Sequence, residues 1–520
     1  MIIKALTIEN FKGISEPVRI EFKPITLLFG PNSAGKSTVV QALHYAREIL
    51  ERNNVDADQV VGADEAFDLG GFKNVVHKHD TNLPIKLKFE LNFSPLVDHS
   101  DFFSTKVENA WIEYEIKWSN FLEKPLVFST SVGIEGEFFA RIVCNEDGKN
   151  ARIVDINHQH HLIAPSSFDE INDYKIVPPV SKLMAALMTT IKFMFLSSEK
   201  GDTGLFLDIY SALPQSIQIN EDLRKEDVEG FMDEWRESSS WETLNDFFGI
   251  YFAEITSLLR NELRQTRYIG PIRKTPPRIF SPVRTVDESR WSSGLAAWDR
   301  LYVSAPPFIE KVNGWLASDN RLNSGYRIKL KRYKELDIES PEYNALGSES
   351  YLDEAERTFD TIQRLPEKRR ISMIDEARGV ELQPHDIGIG ISQVLPVVVA
   401  ALDNSIGFIM VEQPELHIHP GLQTTLGDLF INQIGSGDKT FLLETHSEHL
   451  LLRLLRRIRE TNDGELPPDI APLTPDQLSV NYIEPTSNGL RIRQLLVSLN
   501  GDSHGEWPKG FFEERAGELF

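Results

Sequence analysis

The chain has 520 residues, 41% of them apolar and 26% charged, which is enough for more than one packed core. Its formal net charge of −23 excludes a protein that coats nucleic acid through overall positive charge, so any such contact must be local. A single cysteine, Cys144, excludes an internal disulfide and a cysteine-built zinc site. The N-terminus reads as a strand, not a signal peptide. The longest apolar run, Leu183 to Leu196, contains Lys192 and is too short for a bilayer. A cytoplasmic protein with no membrane insertion is expected.

In chain order, alternation predicts strands over Ile2 to Ile8 and Val18 to Phe22, and Ile25 to Phe29 is a short buried strand. A glycine-rich loop follows, then a helical pattern from Val39. Strands are predicted over Ile85 to Phe93, Ala110 to Trp118 and Glu137 to Cys144, with helical stretches over Val180 to Leu196 and Trp241 to Leu263. Two basic stretches, Arg264 to Arg278 and Tyr326 to Lys334, lie further on. After residue 370 the pattern predicts a helix following Pro396, a buried strand over Ile406 to Val411 and a helix over Leu416 to Ile431. A second buried strand over Thr440 to Leu443, a helix over Glu448 to Arg459 and a hairpin about Ser487-Asn488-Gly489 complete it.

The loop Gly30-Pro31-Asn32-Ser33-Ala34-Gly35-Lys36-Ser37 matches the P-loop pattern in full, between the strand and helix that pattern requires. Its glycines let backbone N–H groups turn toward phosphate oxygens, and the helix start adds its positive end. Lys36 is placed for the β and γ phosphates, Ser37 for Mg²⁺ and Thr38 for a further phosphate oxygen. ATP and Mg²⁺ are therefore the expected ligands. Such a loop needs an acid at the end of a neighbouring strand, and Glu412 ends Ile406 to Val411.

Glu415 is a second carboxylate nearby. His446 follows the other buried strand, where it would sense the γ-phosphate or place water; equally, Thr445 or Ser447 caps the next helix. A metal site built from His417, His419, His446 and His449 is the lesser alternative, and His158 to His161 reads as a solvated loop. Gly390, Ser392 and Gln393 open a helix. They suit either an anion contact or a plain turn and cap.

Together these segments resemble the ABC-class ATPase heads of the RecF, SMC and OLD group. LTIENFKGI (Leu6 to Ile14) is similar to their first strand, DLGGFKNVVHKHD (Asp68 to Asp80) to the Q-loop region and DIGIGISQ (Asp386 to Gln393) to the signature. VEQPELHIHP (Val411 to Pro420) is similar to the Walker B and D-loop region, and ETHSEHL (Glu444 to Leu450) to the switch histidine. The ending Trp507 to Phe520 resembles a short C-terminal domain of one bacterial branch.

The resemblance implies an α/β fold, an ABC-type P-loop ATPase head with a mixed sheet and flanking helices, split by a large α+β or helical insertion. The expected divisions are 1–95 and 366–460 for the head, 96–365 for the inserted lobe and 461–520 for a hairpin and tail. It also implies two heads sandwiching two ATP molecules, with Lys36, Ser37 and Glu412 acting in cis and Ser392, flanked by Gly390 and Gln393, in trans. Where these heads carry a catalytic glutamate, this chain has Gln413, and an amide is no general base. Slow hydrolysis, or substitution by Glu415 or His446, is expected. No acidic cluster resembling a Toprim nuclease follows Leu450. The plan resembles the ATPase subunits of Septu-type anti-phage systems, which implies a separate HNH-type nuclease partner. DNA as a ligand of the basic stretches, in a repair or clamping role, is the alternative.

Overall fold

Two strand patterns, one alternating and one buried throughout, build two different sheets. The computed structural model describes residues 2–32, 34–57, 68–93, 107–157, 159–160, 162, 205–219, 245–278, 282–283, 288–346, 360, 362–435, 439–487 and 489–504. The first strands are β1 (Ile3–Glu9), β2 (Val18–Glu21), β3 (Ile25–Phe29), β4 (Ile85–Asn92), β5 (Asn109–Ser119) and β6 (Lys124–Ile134). They are followed by β7 (Glu137–Val143), β8 (Arg152–Val154), β9 (Leu205–Phe206), β10 (Thr266–Ile269), β11 (Tyr326–Tyr333) and β12 (Lys368–Asp375). The last are β13 (Val380–Leu382), β14 (Phe408–Glu412), β15 (Thr440–Glu444), β16 (Leu478–Thr486), β17 (Gly489–Val497) and β18 (Ser503–His504).

The alternating strands form an eight-stranded antiparallel sheet in the order β2-β1-β4-β5-β6-β7-β8-β9. In β4 every second residue is buried, so Ile85, Leu87, Phe89 and Leu91 share one face. The fully buried strands β3, β14 and β15 lie at the centre of a seven-stranded sheet, β10-β14-β15-β3-β16-β17-β18. Pairing is parallel from β10 to β16 and antiparallel beyond, and a strand buried on both faces must be apolar throughout. A small sheet, β11-β12-β13, completes the set.

Period-two geometry splits the central strands between two cores. Leu28, Phe408, Met410, Leu442 and Ile483 face the core that holds the P-loop helix Ser37–Arg52 and the antiparallel sheet. Ile25, Leu27, Phe29, Ile409, Val411, Phe441 and Leu443 face the other core. There they meet the helices Leu295–Val303, Pro306–Leu316, Ile389–Leu402, Pro420–Gly435 and Glu448–Asp463. Each such leucine contributes about 1.5–3 kcal/mol on burial. Ser447 caps Glu448–Asp463, accepting from the Leu450 N–H at 3.0 Å, and Gly464, in the left-handed region, ends it.

Four expectations change. The stretch 96–365 is not a lobe set apart: β5 to β9 extend the antiparallel sheet, β10 pairs with β14 along four residues, and β11 pairs with β12. The hairpin is not part of a separate tail either, since β16 pairs in parallel with the P-loop strand β3. The helix expected after Pro396 begins at Ile389. Pro396 removes the helical donor for the Ser392 carbonyl, but twelve of the fourteen residues are buried, and packing outweighs that loss. The basic stretch Arg264 to Arg278 is only partly surface. Arg267 is buried, pairs with Asp403 at 3.1 Å and stacks on Trp291, fastening β10 to the far end of helix Ile389–Leu402.

Val180 to Leu196, His158, His161 and Trp507 to Phe520 lie outside the described residues. Among the described residues no helix is long and apolar enough to cross a membrane.

Candidate functional site

Strand β3 delivers the chain to Gly30, whose φ of 152° belongs to the region glycine favours. A Cβ there would lie 2.3 Å from the Ile483 carbonyl oxygen, and one at Gly35 would lie 2.4 Å from Leu490 Cδ1. The hairpin β16–β17 thus supports the loop from beneath, and only glycine permits the approach. Lys36 is 4% exposed, and its ammonium donates to the carbonyls of Gly30 at 3.1 Å and Pro31 at 2.9 Å. Burial lowers its pKa, with Glu444, Glu415 and Glu412 acting in the opposite sense. Thr38 is buried and its N–H donates to the Gly35 carbonyl at 3.0 Å. Pro31 and Asn32 are exposed and Ala34 is buried, while Ser33 lies outside the described residues.

β14 and β15 run parallel in a register that sets Glu412 opposite Glu444. Both are buried, at 8% and 5% exposure, and both face Ser37. The Ser37 hydroxyl donates to Glu444 Oε2 at 2.8 Å and is also a hydrogen-bond partner of Glu412. The Tyr268 hydroxyl, from β10, donates to Glu412 as well. Burial, then the charge of Glu444, pushes the Glu412 carboxyl up to about 7. Burial raises Glu444 too, against the pull of Ser37 and Lys36.

Glu415 is committed to the following loop: it accepts from Thr445 Oγ1 at 2.8 Å and from the His446 N–H at 2.7 Å. Thr445 Oγ1 in turn accepts from the Ser447 N–H at 3.0 Å. Of the two readings of that segment the capping one is seen, since Ser447 caps the helix; His446 is half-buried near Lys36. Burial, then the Lys36 charge, lowers the His446 pKa. Gln413 sits at φ 45°, and its N–H donates to the Glu444 carbonyl at 2.7 Å. The lesser metal alternative finds no support in geometry. His417 and His419 are exposed, and among the described residues no group of three or more His, Cys, Asp or Glu is arranged around a metal position.

Helix Ile389–Leu402 starts against this region, since a Cβ on Gly390 would meet the His417 carbonyl oxygen at 2.9 Å. Ser392 is 1% exposed and lies inside the helix, whose N-cap is Gly388; its hydroxyl donates back to the Ile389 carbonyl at 2.8 Å and caps nothing. What the surface offers there is Gly388 and Ile389, the latter 60% exposed, with Gly390 half-buried behind them. Asp68 to Asp80 lies against the turn at Asn10 to Lys12: the Lys12 N–H donates to the Val75 carbonyl at 2.6 Å and the His77 N–H to the Asn10 carbonyl at 3.0 Å.

Three members of the site were missed in the sequence. Glu444 carried a signal, because FLLE repeats the design of IMVE: a buried run ending in a carboxylate. Tyr268 and Arg273 lie in a stretch whose charge suggested surface, although Tyr268 and Ile269 give it the apolar content of a buried strand.

The residues fit a nucleoside triphosphate and a hydrated divalent cation: a glycine cradle with no room for a Cβ, a buried ammonium, and a serine facing two carboxylates. Two family models match the chain. The one described as "AAA ATPase domain" matches residues 1–161, and the one described as "AAA domain, putative AbiEii toxin, Type IV TA system" matches residues 206–453. Over those residues the chain is similar to AAA-type ATPase domains. A search of curated proteins gave no match.

Among solved structures the chain is similar to an Smc head bound to the C-winged helix domain of ScpA: 10% identity, 96% of this chain and 98% of that one covered, TM-score 0.38. It is similar to the Pyrococcus furiosus Smc head domain with an extended coiled coil bound to the C-terminal domain of ScpA (12%, 95% and 96%, TM-score 0.37). The SMC head domain from Thermotoga maritima gives 10%, 96% and 100%, and TM-score 0.36. Likeness at these scores decides nothing about function.

Lys36→Ala removes the one buried ammonium of the loop and is expected to abolish ATP binding, read by titration with a fluorescent ATP analogue. Affinity retained within about threefold would move the nucleotide elsewhere. The Glu412 carboxyl, raised from 4.5 to about 7, adds stability that is full below the lower value and lost as pH rises through the upper. Glu444→Gln removes the neighbouring charge, so thermal melting of the nucleotide-free protein should depend less on pH, with its largest relative gain near pH 8. An unchanged pH slope would show that the two carboxyls do not interact.

Proposed function

We propose that this chain binds ATP with Mg²⁺ at Gly30 to Thr38, dimerises head to head around nucleotide, hydrolyses it slowly and so regulates a separate nuclease subunit in anti-phage defence. The observation that carries the ATPase part is the meeting of Glu412 and Glu444 at Ser37, beneath a P-loop whose lysine is buried. In this scheme Ser37 and Glu412, joined by Glu444, hold the hydrated cation, which supplies charge neutralisation for the transferring phosphoryl group. Lys36 and the loop N–H groups hold the phosphates.

The slow turnover follows from Gln413. It stands directly after Glu412, its backbone is pinned by Glu444, and its amide takes no proton. Of the two substitutes, Glu415 is occupied by Thr445 and the His446 N–H, which leaves His446; Glu444, on Ser37, is a third group beside the P-loop. Dimer formation and the nuclease partner rest on the resemblance of the segments to Septu-type ATPase subunits. In trans, the turn at Gly388 to Gly390 meets the partner's nucleotide, with Ser392 buried behind it.

A DNA-clamping role has one observation behind it, the exposed cations of β11 and β12. Lys331 and Lys329 face Glu381, Arg332 faces Glu367 and Lys368 faces Glu335, so most of that charge is answered locally.

Purification from the native operon separates the two. A co-eluting nuclease supports the first role; a chain that elutes alone and binds plasmid DNA supports the second. Gln413→Glu restores a carboxylate at the step and should raise kcat on the order of a hundredfold with little change in KM. An unchanged kcat would place the limit at a conformational step.

A further inference from the structure

Arg273 lies four residues beyond β10 and is 2% exposed. A buried arginine ordinarily meets a carboxylate. This one donates to three backbone carbonyls instead. Nη1 reaches the Gln393 carbonyl at 3.2 Å, and Nη2 reaches those of Glu412 at 2.6 Å and Gln413 at 3.2 Å. Gln393 returns the contact with its side chain. Its Oε1 accepts from the Arg273 N–H at 3.0 Å, and its Nε2 donates to the Arg273 carbonyl at 2.6 Å.

Two segments 19 positions apart in sequence, the helix start at Gly390 to Gln393 and the strand end at Glu412 to Gln413, are thereby joined through one guanidinium from a third. A residue that only filled this space would be apolar and would avoid the desolvation cost of a cation. The planar fork can hold carbonyls from both segments at once, which a lysine point charge cannot. Gly294, at φ 76°, keeps the clearance: a Cβ there would lie 3.0 Å from Arg273 Cβ and 2.9 Å from Pro396 Cγ.

We propose that Arg273 is a positioning residue that couples the helix start at Gly390 to the acid end of β14, so that contact of that helix start with a partner's nucleotide sets the placement of Glu412 and Gln413 in its own site. The coupling rests on the head-to-head dimer proposed above. It makes the two nucleotide sites of a dimer interdependent.

The test uses the full chain with Arg273→Lys and Gln393→Met. Thermal melting, binding of a fluorescent ATP analogue, sedimentation with ATP and Mg²⁺, and steady-state hydrolysis across ATP concentration are measured. Both variants should fold, bind the analogue within about threefold of wild type and dimerise, while kcat falls on the order of a hundredfold and the Hill coefficient drops toward one. Loss of cooperativity at preserved affinity is what a purely structural role would not produce. Gln393→Met removes the two side-chain bonds that hold the Arg273 backbone to the helix start, and serves where Arg273→Lys melts early; cooperativity retained in it overturns the coupling. Variants that match a cooperative wild type overturn the coupling alone. A wild type that stays monomeric with ATP, or hydrolyses without cooperativity, removes the dimer's interdependence and the proposal with it.

Discussion

Parallel pairing of β14 with β15 brings Glu412 opposite Glu444, and the two carboxylates share a cleft that excludes most water. Burial raises the proton affinity of both, and the charge of Glu444 adds to the rise at Glu412. The surroundings supply the answer: the Ser37 hydroxyl, the Tyr268 hydroxyl and the buried ammonium of Lys36 all stand within the same small volume. Two buried carboxylates beside one ammonium still leave a place that a divalent cation would fill. That place explains why a loop, two strand ends and β10 must be held in fixed relation.

The fold holds them with backbone geometry. Central strands buried on both faces anchor the P-loop to one core and the Gly390 helix to the other, so neither can shift without disturbing a packed layer. The hairpin β16–β17 closes off the space below Gly30 and Gly35. Arg267 with Asp403 fixes the start of β10, and Arg273 gathers carbonyls just beyond its end. One short buried strand therefore carries an ion pair at its base, a tyrosine on the acid and an arginine across two functional segments.

The expected site and the observed one differ in instructive ways. Ser392 suits an anion contact or a cap in the sequence, but its buried hydroxyl donates back to the Ile389 carbonyl and Ile389 is the exposed side chain of that turn. Glu415 was a candidate base, yet both its oxygens are engaged in shaping the Thr445 to Ser447 loop. A neighbour takes up the bonding capacity in each case, three residues away for Ser392 and about thirty for Glu415. Charge misled in the same manner at Arg267 and Arg273, where composition alone suggests a solvated face.

Local constraints were legible in the sequence by itself. The P-loop needs glycines at fixed spacing because a backbone must curl there. The strand end at Glu412 and the presence of the helices, though not their first residues, follow from periods of two and of 3.6 residues, which neighbouring residues impose on one another. Sheet membership, the service of Glu444 and the burial of Arg273 were decided only by tertiary structure. Ser37 and Glu444 are 407 positions apart, and Arg273 and Glu412 are 139 apart. No periodicity spans such separations. They are set by which strands pair and in what register, and the same pairing that completes the acid cleft also draws an arginine out of water to hold it.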